Sequence, residues 1–77
     1  MKTELWYFDI ADNKYLFPEA IASDGFIFIP NEGDTLFFNE WGYIVSNKEY
    51  SYGPGLTKIV IFCGRERKKR KHLFDAF

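Results

Sequence analysis

The sequence is poor in the residues that build covalent or metal-held frameworks: 77 residues carry one cysteine, Cys63, one histidine, His72, and three prolines. A lone cysteine closes no internal disulfide, which suits a reducing compartment. One Cys and one His supply two soft ligands where structural zinc takes four, so neither a metal site nor a cofactor is expected. No apolar run approaches the ~20 residues needed to span a bilayer, so no membrane partner is expected. Met1-Lys2-Thr3-Glu4 carries an acid and no signal-type apolar core, which together with the single cysteine gives a cytoplasmic location as the expectation. The glycines of Tyr52-Gly53-Pro54-Gly55 are followed by no Gly-Lys-Ser/Thr and open no helix, so they do not form a phosphate cradle.

Aromatic residues are what the chain has in quantity. Phe 9, Tyr 5 and Trp 2 make up 21% of it, and large rings are an economical core for a chain this short, each burying ~150–250 Å² on few torsions. The near-neutral net charge of −1 hides two opposed parts. Residues 1–64 hold four lysines against nine acids, a net of −5, whereas residues 65–77 hold six cations against two acids, a net of +4. The expected organisation is therefore a small β-barrel domain over residues 1–64 and a basic amphipathic tail over 65–77, divided at Gly64.

Punctuation along the chain predicts strands. Residues 4–10 are aromatic and β-branched, and Asp12-Asn13-Lys14 is a turn whose side chains can bond their own backbone. Residues 15–17 pair back as a short strand ended by Pro18, which lacks an N–H. Residues 19–22 read as one helical turn. The unbroken apolar run Phe26-Ile27-Phe28-Ile29 before Pro30 reads as a buried strand. Residues 30–34 suit a tight turn with Gly33 at positive φ. Strands follow over 35–38, 43–50 and 57–63, with connections at 39–42 and 52–55. In the tail, Leu73, Phe74 and Phe77 at spacings of three and four place an apolar stripe on a short helix. The expected fold is thus all-β: a five- to six-stranded antiparallel barrel or half-barrel with a short C-terminal helix.

Several of these strands are apolar at consecutive positions, so both of their faces are greasy, and a barrel interior covers one. The second face is expected to be covered by the C-terminal helix, by another copy of the chain, or by a different protein.

Catalytic parts are scarce. Cys63 closes an apolar strand, where free cysteine behaves as a small hydrophobe, so a Cys63–His72 nucleophile pair is not expected. Asp9 with Asp12, and Glu32 with Asp34, occupy turn positions better explained by hairpin chemistry than by acid–base work. The chain is not expected to be an enzyme or to act on a small-molecule substrate. The basic run Arg65, Arg67, Lys68, Lys69, Arg70 and Lys71 could neutralise phosphates, with Trp6, Tyr7, Trp41, Tyr50 and Tyr52 as rings on which bases would stack.

The stretch Ile29-Pro30-Asn31-Glu32-Gly33-Asp34-Thr35-Leu36, followed by Gly42-Tyr43-Ile44-Val45, resembles small SH3-like barrels, in which a proline–glycine–acid turn introduces a strand and a hairpin follows. The resemblance implies a fold class and no functional residue. The functional expectation is a non-catalytic protein-interaction module whose partner is another protein or a second copy, forming a homo-oligomer. Trp41, Leu73, Phe74 and Phe77 are its expected contact residues. The alternative is a nucleic-acid-binding module using the basic run. A third reading, an inhibitor-like protein whose acidic body blocks a basic site, requires the acids to form one contiguous patch.

Overall fold

Turns separate β-rich segments along the chain, and in a computed structural model these make six strands in one sheet. The structure describes residues 2–38 and 40–69, the last three as backbone. The strands are β1 (Lys2–Asp9), β2 (Lys14–Tyr15), β3 (Ile21–Ser23), β4 (Thr35–Phe38), β5 (Trp41–Gly53) and β6 (Leu56–Lys69). Their spatial order is β2-β1-β6-β5-β4, with β3 lying on the same edge of β1 as a second short partner. All-β is therefore correct.

The expectation of a wholly antiparallel sheet is corrected. β1 runs parallel to β6, in register from Lys2 opposite Leu56 to Asp9 opposite Cys63. Strands joined by a tight hairpin must be antiparallel, and β4–β5 and β5–β6 are so joined. The first and last strands meet only through the rest of the chain, so no local signal sets their direction.

Side-chain alternation then separates two faces. Leu5 of β1, Tyr43 and Val45 of β5, and Ile59, Ile61 and Cys63 of β6 form the buried core. Tyr7, Leu16, Ile27, Ile29, Leu36 and Trp41 pack around it. A bulge then shifts the alternation of β5: Val45 opposes Cys63 while Asn47 opposes Phe62, which leaves Ser46 as the extra residue. Its hydroxyl donates to the Phe62 carbonyl at 3.2 Å. The edges of the sheet, β4 and the segment after β2, meet through Phe17 and Phe38, whose rings stand edge-to-face at 4.6 Å.

Turn chemistry matches the residues that supply it. Asn13 takes φ 56°, and Gly33 and Gly55 take 88° and 72°, values that asparagine and glycine tolerate best. The Asp34 carboxylate accepts the Asn31 N–H at 2.7 Å, closing the turn before β4.

Three local expectations fail. Residues 19–22 form no helical turn, because Ile21 to Ser23 instead pairs with the open edge of β1, Ile21 opposite Leu5. Residues 26–29 are not a strand: Ile27 and Ile29 pack on the core, but Phe26 and Phe28 are 87% and 77% exposed. The alternation of an extended chain is present there without a neighbouring strand. Finally, the C-terminal helix is absent among the described residues. β6 continues through Gly64 to Lys69, with Arg65 opposite Tyr43 and Lys69 opposite Trp41, because the start of β5 offers an unpaired ladder that a strand conformation satisfies. The remainder of the expected helix, with Arg70, Lys71, His72, Leu73, Phe74 and Phe77, lies outside the described residues. Among the described residues no helix is long and apolar enough to cross a membrane.

Candidate functional site

The side of the sheet away from the core is built from the alternate residues of its two central strands. Trp6 and Phe8 of β1 stand beside Val60 and Phe62 of β6, their register partners, and Tyr15 of β2 lies opposite Phe8. Ile44 of β5, opposite Gly64, extends the patch. Their rings interlock: Phe8 meets Phe62 at 5.7 Å and Tyr15 at 5.1 Å, and Trp6 meets Tyr15 at 5.3 Å, all edge-to-face. Such pairs add ~0.5–1.5 kcal/mol beyond the area they bury. Lys58 places its ammonium 5.0 Å from the Trp6 ring, and the Trp6 indole N–H donates to Glu4 at 3.2 Å. The four central residues are half-buried, and the ring contacts they make are with one another and with Tyr15. This is the second apolar face that consecutive apolar residues in the sequence imply.

On the core side, at the β1–β2 turn, a cleft of about 280 Å³ is lined by Asp9, Asp12, Lys14, Tyr15, Leu16, Phe38, Trp41, Tyr43 and Arg65. Asp9 is 1% exposed. Its Oδ1 accepts the Ala11 N–H at 2.9 Å and the Asp12 N–H at 3.3 Å, whereas its Oδ2 is buried without a hydrogen-bond partner. Arg65 approaches Asp12 Oδ2 at 3.6 Å and lies over the Trp41 ring at 4.7 Å. That ion pair is more than a third exposed on both sides and contributes at most about 1 kcal/mol. Burial raises the Tyr43 phenol pKa, and the negative charge of Asp9 adds to it, against an opposing influence from Arg65. Burial, and then Asp9, push the Cys63 thiol up to about 11. Burial first and Cys63 second raise Tyr7.

A smaller apolar crevice of about 220 Å³ lies at the seam between the sheet edges, with Tyr7, Phe17, Leu36 and Phe38 among its walls.

The structure redistributes the residues expected to act. Trp41 is not a free hairpin ring; it is half-buried, packs on the core and carries Arg65 on its face. Arg65, first of the basic run, faces Asp12 rather than standing clear for phosphate. Arg67, Lys68 and Lys69 belong to β6. Tyr50 and Tyr52 are exposed and stacked at 6.3 Å, with Lys48 over Tyr50 at 5.9 Å. They sit beside Ile59 and Thr57, toward the opposite end of β6 from Arg65, roughly 20–26 Å away at ~3.3 Å per residue. The carboxylates at turns behave as expected, Asp9 and Asp34 accepting backbone N–H groups. Among the described residues no group of three His, Cys, Asp or Glu could hold a metal ion.

The sequence reading missed Tyr15, Phe8 and Phe62 as a cluster and Asp9 as a buried acid. Alternation of Leu5, Tyr7 and Asp9 places the acid on the core side of β1, but only the pairing with β6 shows which alternate row is the core. No family model matches the chain, and neither curated proteins nor solved structures match it.

Proposed function

We propose that this chain is a non-catalytic interaction module that self-associates through the outer face of β1 and β6. The observation that carries the proposal is the aromatic cluster of Trp6, Phe8, Tyr15 and Phe62 on the outside of a sheet whose core lies on the other side. Contiguous apolar surface of this kind marks an interaction site. A second copy suits it because the border carries both charges next to each other. Glu4 is the register partner of Lys58, and Lys2 lies 4.0 Å from Glu4. A two-fold pairing sets each sign against its opposite, as an isologous interface requires. The absence of a catalytic role and a cytoplasmic location belong to the same reading.

The fold is read as a half-barrel. The turn into β4 and the β4–β5 hairpin support the SH3-like comparison, while the parallel β1–β6 pair departs from it. The nucleic-acid alternative retains one supporting feature, the exposed Tyr50–Tyr52 stack beside Lys48. It is ranked second because those rings are remote from the basic run and residues 1–64 are net acidic.

Sedimentation equilibrium of the full chain tests the proposal. The expected result is a reversible dimer that Phe62→Lys converts to a folded monomer. A monomer at every concentration for the unmodified chain refutes it, as does a Phe62→Lys variant that remains folded and dimeric.

A further inference from the structure

We propose that the cleft at the β1–β2 turn is a receptor site for a guanidinium group, the side chain of an arginine on a partner protein, and that Arg65 is the resident group it displaces. The chain itself displays the chemistry the cleft accepts. The Arg65 guanidinium rests 4.7 Å from the Trp41 ring and 3.6 Å from Asp12, with Tyr43 also in the cleft wall. It is held loosely, since 3.6 Å exceeds the ~2.7–2.9 Å of a charge-assisted hydrogen bond.

In the same cleft wall a carboxylate oxygen lacks a donor. Asp9 is 1% exposed, its Oδ1 is engaged by two backbone N–H groups, and its Oδ2 receives nothing. Asp9 makes no ion pair among the described residues. A buried carboxylate oxygen without a donor is costly, and the planar fork of a guanidinium is the side-chain group that best spans neighbouring carboxylates. Trp41 supplies the flat ring on which such a group stacks. Asp9, Asp12 and Arg65 line one cleft, so the incoming cation enters it once Arg65 turns out to solvent. That exchange is accessible to a side chain already more than a third exposed.

The test follows the indole N–H resonances of the ¹⁵N-labelled full chain during titration with methylguanidinium. Trp41 lines the cleft and Trp6 lies on the outer face, so each serves as control for the other. The expected result is a saturable shift of Trp41 with Trp6 unmoved, and no shift with the neutral isostere N-methylurea. Arg65→Ala removes the resident competitor and tightens binding about tenfold, the gain expected when an occupied site becomes free. Asp9→Asn keeps an acceptor for the two backbone N–H groups but removes the charge, and weakens binding at least about tenfold, the loss of a charged acceptor. An equal response to N-methylurea overturns the proposal, as does unsaturable behaviour in both the unmodified chain and Arg65→Ala. Should Asp9→Asn fail to fold, the Arg65→Ala comparison decides alone: unchanged or weaker affinity overturns it. Tighter binding of Nα-acetylarginine amide than of free arginine supports a protein-borne arginine, and the reverse order overturns that source.

Discussion

Ile61 and Phe62 are neighbours on β6 whose side chains point to opposite sides of the sheet, and truncating each to alanine measures which side is interior. Ile61 is fully buried in the core, and Phe62 is half-buried against Phe8 on the outside. Removing a buried isoleucine down to its Cβ costs ~2–5 kcal/mol, including the cavity left behind. Because Ile61 is on a central strand, hydrogen-bonded on both sides by β1 and β5, relaxation into that cavity is restricted and a cost of about 4 kcal/mol is expected. Phe62→Ala loses one edge-to-face contact and part of a burial, about 1–2 kcal/mol. A chain of 77 residues at ~0.05–0.15 kcal/mol per residue has a total stability of roughly 4–12 kcal/mol. Ile61→Ala therefore removes a third or more of it. Urea titration followed by circular dichroism reads both changes. With a slope near ~1 kcal/mol per molar urea, the midpoints fall by ~4 M and ~1–2 M respectively. The comparison belongs at low protein concentration, since self-association stabilises the folded chain by mass action and adds to the Phe62 cost as concentration rises. A Phe62→Ala cost equal to or above that of Ile61→Ala at low concentration would refute the assignment of inner and outer faces.

Two further predictions concern β6 and its neighbours. Burial, followed by the Asp9 charge, pushes the Cys63 thiol up to about 11 from an ordinary 9.0, so the folded chain holds this proton more tightly than the unfolded chain does. The associated stability is complete below pH 9 and is lost as pH rises through about 11, a change of about 3 kcal/mol. Cys63→Ala lowers stability at pH 8 by its cavity but flattens the decline between pH 9 and 11, a slope measured by urea titration; an undiminished slope contradicts the assignment. Gly42 leaves room for a side chain from the opposite strand: a Cβ there would run into the Glu66 carboxylate. Gly42→Ala is expected to destabilise by less than about 1 kcal/mol, below the usual cost of overpacking, because the obstructing carboxylate ends a flexible side chain that can swing aside. Adding Glu66→Ala should recover part of that loss in a double-mutant cycle, and additive costs would show that the two positions do not interfere.

The sequence by itself determined the β class, and it located the turns at Asn13, Gly33 and Gly55, because a positive φ or a self-bonding side chain is a demand on single residues. It also implied a second apolar face, since consecutive apolar residues on a strand must point both ways. What only the tertiary structure decided is who pairs with whom. Direction and register between β1 and β6 rest on contacts between the two ends of the described chain. That pairing selects which alternate row is core, puts Phe8 beside Phe62, and brings Asp9 and Arg65 to one cleft. The same long-range logic draws residues 65–69 into β6 and Ile21–Ser23 onto β1 against their local helical tendency, and leaves residues 26–29, apolar throughout, without a strand partner. A turn is chosen by the energy of a few adjacent torsions, whereas a strand partner is chosen by hydrogen bonds and buried area that exist only once distant segments meet.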